Sequence, residues 1–209
     1  MFNHKAFDRH LHAAAAFHGH LCLGQVIGVR LAMLGLELVG ITDPLGADRK
    51  KLIVFVEIDR CAADAIMTVT GSRVGRRSLK IVDNGKIAAT FLNLETGAAY
   101  RIFARSDAQD KALALHPDLD EKTAQMQAYK EMDDADLFEV LPVRVPIKCE
   151  DMPGSPTRKV RCEDCGEIVH DQRDVLKNGR TLCRTCASGT AYYAVEVPRP
   201  ERLPEAVGQ

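Results

Sequence analysis

Two C-x-x-C pairs, Cys162/Cys165 and Cys183/Cys186, stand seventeen residues apart, the spacing of a four-cysteine zinc site. Zinc takes four thiolates at about 2.3 Å in a tetrahedron, and a two-residue gap lets one turn of chain present two of them. Gly166 relieves the turn after the second sulfur, and Asn178-Gly179 supplies the dipeptide of a tight hairpin joining the pairs. A segment of roughly 40 residues so poor in apolar side chains has little core of its own, so the metal must supply its folding free energy. A redox-active C-x-x-C pair is the competing use of this spacing; a closed set of four thiolates, with no open coordination position, favours structural zinc in a zinc ribbon.

A second group of donors is more compact. Phe17 to Gly24 reads FHGHLCLG, which puts His18, His20 and Cys22 within five residues at the start of an apolar helix. A thiol there feels the positive end of the helix dipole, which favours the thiolate that binds metal or attacks electrophiles. Cys61 and Asp64 follow a strand-like run and, at i and i+3, share one helix face at a strand-to-helix junction where ligands are often held. Imidazole, thiolate and carboxylate together suit zinc, nickel, cobalt or iron. The plainer reading makes Cys22 a small core residue, the histidines capping or surface groups, and Asp64 a partner for the first turn of its own helix. The residues by themselves leave both open.

The elements that must position these donors follow from periodicity. Phe7 to Ala16 is Ala-rich at helical spacing, His18-Gly19 breaks the pattern, and a second apolar run begins at Leu21. In that run Gly24, Gly28 and Ala32 recur every fourth residue, a smooth stripe against which another backbone can pack closely. Lys51 to Asp59 is a β-branched run suited to a central strand, and Cys61 to Thr70 returns to helical spacing. LKIVD and KIAATFLN flank Asn84-Gly85 and predict an antiparallel hairpin, with Ala99 to Ala104 as a third strand. Lys111 to Leu115 and Glu121 to Asp133 are helical in pattern, and Pro142 and Pro146 bracket a short extended VRV. No β-α-β period recurs, so the expected fold is α+β: helices packed on an antiparallel-containing sheet, with a small C-terminal four-cysteine zinc ribbon. The expected boundaries are a core at 1–150, a Pro- and Gly-rich linker at 151–157, the ribbon at 158–197 and a tail at 198–209.

Composition narrows the function classes. With 209 residues, 46% hydrophobic, the chain can bury an ordinary core, and 28 basic against 29 acidic side chains create no field toward nucleic acid or anionic membranes. Between Arg158 and Cys186 seven basic side chains face five acidic ones and no row of aromatics interleaves them, which argues against nucleic acid. Leu21 to Ile41 is interrupted by Gln25, Arg30 and Glu37, so it reads as a buried helix and not a membrane span. The first residues lack the apolar region of a signal peptide, and the expected location is cytoplasmic. Cys149 reads as a spare thiol, and His4, His10, His12, His116 and His170 as surface groups.

FHGHLCLG followed by a glycine-spaced helix, then EIDRCAADAIMTVTG, then DNGKIAATF, resembles the FmdE family of formylmethanofuran dehydrogenase, whose pattern is HGHxCPG with a later C-x-x-DAI-x-x-x-TG and D-x-GK. The likeness covers most of residues 1–105, and the C-terminal ribbon looks like the TraR/DksA-type zinc finger that many members carry. Leu23 departs from the usual proline, and Ser72-Arg73 stands where many members have Cys-Thr. The resemblance implies an α+β core whose His18, His20, Cys22, Cys61 and Asp64 bind a metal, a zinc ribbon, and a homodimer; it implies no particular reaction.

Three functions are compatible with these residues. The first is a metal-binding accessory or metal-handling protein with a second divalent transition metal in the core. The second is an enzyme using metal-bound water or the Cys22 thiolate on a small anionic substrate held by Arg73, Arg76 and Arg77, in a basic run that otherwise reads as a solvated loop. The third is a regulator or adaptor whose zinc ribbon contacts a macromolecule, such as a protein partner.

Overall fold

The computed structural model describes residues 3–155 and 158–196, and the chain divides into two compact units, Met1–Gly154 and Ser155–Gln209. Residues 156, 157 and 197 and the expected tail at 198–209 lie outside the described residues.

In the first unit, helix α1 (His4–His18) starts where the Asn3 side chain accepts from the Ala6 N–H and stops at Gly19, which turns left-handed at φ +97°. Helix α2 (Leu23–Leu38) is buried almost all round, with Val26, Val29, Leu31 and Ala32 fully enclosed. Strand β1 (Leu52–Val56) feeds helix α3 (Cys61–Thr70), which ends on left-handed Gly71, and α3 crosses over to the short strand β2 (Leu79–Ile81), parallel to β1. Strands β3 (Ala88–Asn93), β4 (Ala99–Ala104) and β5 (Phe138–Pro142) extend the sheet antiparallel, in the order β2-β1-β3-β4-β5. Helices α4 (Ala108–Leu115), α5 (Glu121–Glu131) and the single turn α6 (Asp134–Leu137) connect β4 to β5. The fold is the expected mixture of helices on a sheet containing antiparallel pairs.

The hairpin expected at Asn84-Gly85 does not form: β1 lies between β2 and β3. The α3 crossover makes β1 and β2 parallel neighbours, so the segment after β2 has to pass over the end of β1 to reach its other edge. Only Gly85 of the pair has positive φ, whereas a two-residue primed turn needs two such residues. The loop is instead pinned by the Glu57 carbonyl, which accepts from the Asn84 and Lys86 N–H groups, and by the Asp83 carboxylate, which accepts from Gly85. Glu57 also takes Arg101 through both carboxylate oxygens, at 2.6 and 2.9 Å.

The glycine stripe of α2 is where α3 packs. A Cβ on Gly28 would lie 2.7 Å from the Ala62 carbonyl oxygen and 2.8 Å from the Ala65 Cβ. Arg30, 1% exposed, points from α2 to the end of α5, where it donates to the Tyr129 and Met132 carbonyls and to Asp134. That accounts for a cation inside an otherwise apolar helix: carbonyls and a carboxylate offset its desolvation. Among the described residues no helix is long and apolar enough to cross a membrane.

The second unit holds two hairpins, β6 (Lys159–Arg161) with β7 (Ile168–His170), and β8 (Asp174–Lys177) with β9 (Arg180–Cys183), followed by helix α7 (Arg184–Ser188). Asn178 and Gly179, at φ +53° and +76°, close the β8–β9 hairpin as their residue types require.

Candidate metal centres

The ribbon brings its four cysteines together, with all sulfurs within 4.8 Å of one another. Cys162 follows β6, and the Gly166 N–H donates back to its carbonyl through a left-handed glycine at φ +68°. Cys183 ends β9 and caps α7, and Cys186 lies on that helix. The second pair is thus held by a helix start, an element the sequence pattern did not reveal because it is only five residues long. The Cys165 and Cys183 sulfurs are 3.9 Å apart, far beyond a disulfide bond and close to the ~3.8 Å sulfur–sulfur edge of a zinc tetrahedron with ~2.3 Å bonds. The Cys162 sulfur accepts from the Cys183 N–H at 3.2 Å. Burial raises the Cys162 pKa, but backbone donors from Cys183, Cys165 and Asp164 outweigh it and bring the thiol down to about 6. Burial first, and then the thiols of Cys183, Cys162 and Cys165, push Cys186 up to about 12. Four sulfurs packed this closely suit a shared cation, and the donor set fits structural zinc.

The core centre forms where α1 ends and α2 and α3 begin. Gly19 stops α1 directly after His18, so the chain reverses and carries His20 back beside it, with ring centroids 4.7 Å apart. Donor atoms of His18, His20 and Cys22 lie within 4.8 Å of one another. Cys22 is the N-cap of α2 and Cys61 the first residue of α3, and neither helix start has a side-chain cap. Both thiols thus belong to residues at the starts of helices, the positive ends of their dipoles. Gly24 lets these starts approach, because a Cβ there would lie 2.8 Å from that of Cys61. The Cys61 thiol has a raised pKa, first from burial and then from the neighbouring Cys22 thiol.

Cys61 and Asp64 are not part of the three-donor group, and Asp64 has a place of its own. Its Oδ2 is 2.8 Å from His18 Nδ1. His18 Nε2, on the far side of the ring, is buried with no hydrogen-bond partner among the described residues. A buried imidazole nitrogen left without a partner is costly, and a metal ion would satisfy it. The residues present therefore fit a metal. Gln25, fully buried one turn into α2, donates to the Cys61 carbonyl at 2.6 Å and holds the two helix starts together. In the sequence it stood out only as a polar interruption of an apolar run.

Arg73 is committed elsewhere: it donates to the Met67 and Ser72 carbonyls at the end of α3 and lies 6.0 Å over the Phe17 ring. Arg76 is exposed on the turn Val74–Arg76, and Arg77, left-handed at φ +61°, is half-buried. The structure does not gather these three around the centre. A cleft of about 390 Å³ beside it is lined by His18, Cys61 and Asp64, by exposed Asp59 and Arg60, and by apolar side chains of α3, the turn Val74–Arg76 and β2. This cleft was not foreseen, because its lining comes from three separate segments, residue 18, residues 59–67 and residues 74–81, that only packing brings together.

Comparison with known proteins agrees with the architecture. A family described as FmdE, molybdenum formylmethanofuran dehydrogenase operon, matches residues 17–142, and the prokaryotic DksA/TraR C4-type zinc finger matches residues 156–190. A probable S-adenosyl-L-methionine-binding protein of Archaeoglobus fulgidus is 28% identical over 201 residues, 87% of this chain and 53% of that protein, so the chain spans about half of this relative's length. The crystal structure of an FmdE-like protein of tungsten formylmethanofuran dehydrogenase type from Syntrophus aciditrophicus superposes with a TM-score of 0.58 at 20% identity, covering 90% of this chain and 95% of that one; the likeness shows the fold.

Proposed function

Because the chain belongs to the FmdE family, we propose that it is a metal-binding protein carrying two metals per chain: structural zinc on Cys162, Cys165, Cys183 and Cys186, and a transition metal on His18, His20 and Cys22. One observation carries the core half of this reading. The His18 ring is held by Asp64 through Nδ1, while its buried Nε2 has no partner among the described residues and two further donors lie close by. In this reading Asp64 orients the imidazole, as carboxylates behind metal-bound histidines do. Cys61 stands beside Cys22 but outside the group of three donors. Three protein ligands leave a position open, which gives a bound metal Lewis-acid character toward a small molecule.

An open centre serves metal handling or an accessory role in the family's operon. The cleft at its side favours a second reading, a metal-dependent enzyme. Either role fits a cytoplasmic homodimer. The test is metal content per full-length chain with element identity. Wild type should hold two metals, Cys22→Ser/Cys61→Ser should lose only the core one, and Cys162→Ser/Cys165→Ser only the zinc. A single metal that persists when Cys22 and Cys61 are replaced would remove the core centre.

A further inference from the structure

We propose that the cleft beside the core centre binds a small molecule with an apolar body and one metal-ligating head group. The proposal rests on the core metal reading above and adds the ligand class to it. At about 390 Å³ the cleft falls in the range of small-molecule sites, roughly 300–1,000 Å³. His18, Cys61 and Asp64 line it together with the exposed Asp59 and Arg60; the rest of its lining, Ala63, Met67, Val74, Leu79 and Ile81, has side chains without N–H or O–H groups. A ligand lying along these five makes no hydrogen bond to their side chains, so the part of its body that touches them is apolar, and its polar group faces His18, Cys61 and Asp64. Val74 and Ile81 are 57% and 52% exposed, so the wall leaves apolar surface open to water beside a centre with a free coordination position.

A larger cavity of the same unit, about 520 Å³ between α4, α5 and α6, has a different lining. Lys111, Glu131, Asp133 and Asp136 stand there, and Lys111 is already matched to Asp136 at 2.7 Å. That cavity calls for no ligand, whereas the cleft at His18 pairs an apolar wall with metal donors.

The experiment loads the full-length protein with cobalt and titrates a series of straight-chain hydroxamates, from acetyl to octanoyl, reading the cobalt absorption. Each should shift the spectrum, and affinity should rise by roughly three- to fourfold per methylene until the cleft is filled. Ile81→Glu and Val74→Asp, both at exposed positions, should flatten that rise while cobalt content and acetyl hydroxamate binding persist. An affinity independent of chain length, or a rise unchanged in both variants, would overturn the proposal in favour of head-group binding alone. If these substitutions instead dissociate a dimer on sedimentation and leave the rise intact, the apolar wall covers a second copy and the proposal falls. Absence of core cobalt would remove the metal reading and this proposal together; bound cobalt with a flat series removes this proposal only.

Discussion

Around Cys162 the ligands are themselves the core, while around His18 they stand on a core built from other residues. The ribbon buries Cys162, Val169 and Leu182, and three of the partly buried groups packed on them are the other three cysteines. Its strands are three or four residues long, too short to hold their register without the metal. The core centre draws its donors from the ends of α1, α2 and α3, whose inward faces join one large apolar cluster with the sheet. A site that shapes its own fold consumes all four coordination positions. A site on an independent scaffold can leave one open, and that difference separates a structural centre from one able to meet a ligand.

The sharpest way to break this contrast is to remove the zinc. Structural zinc contributes about 10–16 kcal/mol in small metal-folded domains, so chelation should abolish amide-exchange protection across residues 158–196 and leave α2, α3 and the sheet protected. A ribbon that stays protected without metal would collapse the distinction. The next effect lies at the α2–α3 contact. Gly28→Val places a side chain where a Cβ already approaches the Ala62 carbonyl oxygen at 2.7 Å, and overpacking of this kind costs about 3 kcal/mol. The urea midpoint should fall accordingly, and core metal should weaken with it because the starts of both helices separate. Unchanged metal affinity at reduced stability would show that the donors do not depend on this packing.

How much of this was legible in the sequence follows the range of each contact. The bounds of α3, Cys61–Thr70, were readable because Ala62, Ala65, Ile66 and Val69 repeat at helical spacing and Gly71 stops the helix. The four-cysteine set was readable because each pair is local, and so was the group of His18, His20 and Cys22, five residues long. Strand order was not: Asn84-Gly85 has the local chemistry of a hairpin, but the α3 crossover, a tertiary constraint, placed β1 in the gap. Strand β5, whose last residue is Pro142, escaped notice because four of its five residues are exposed and lack an alternating pattern. The position of Asp64 behind His18 is a contact across 46 residues that exists only once α1 packs on α3. Spacing put Asp64 near the centre; packing set what it touches.

That placement offers a smaller test of the scaffold idea. Asp64→Asn keeps the size of the side chain and removes the charge that orients the His18 ring. Metal affinity at the core should fall about 10- to 100-fold, with two metals still bound at saturation and the urea midpoint almost unmoved. Competition with a chromophoric chelator measures this directly. Complete loss of the core metal would instead make Asp64 a ligand.

The smallest expected effect concerns acid and the core unit alone. Arg101, together with the weaker Asn84 contact, holds the Glu57 carboxyl below its usual range even though burial opposes this. A carboxyl that is more acidic in the folded state contributes stability above its unfolded pKa of about 4.3 and loses it as pH falls through the folded value. With Arg101 a quarter exposed, the contribution is about 1 kcal/mol. Unfolding midpoints of wild type and Glu57→Gln should therefore differ near neutral pH and converge below about pH 4, where the protonated acid resembles the amide. Parallel curves across that range would show that the Arg101 pair contributes nothing measurable, and that the backbone bonds from Asn84 and Lys86 to the Glu57 carbonyl hold the loop unaided.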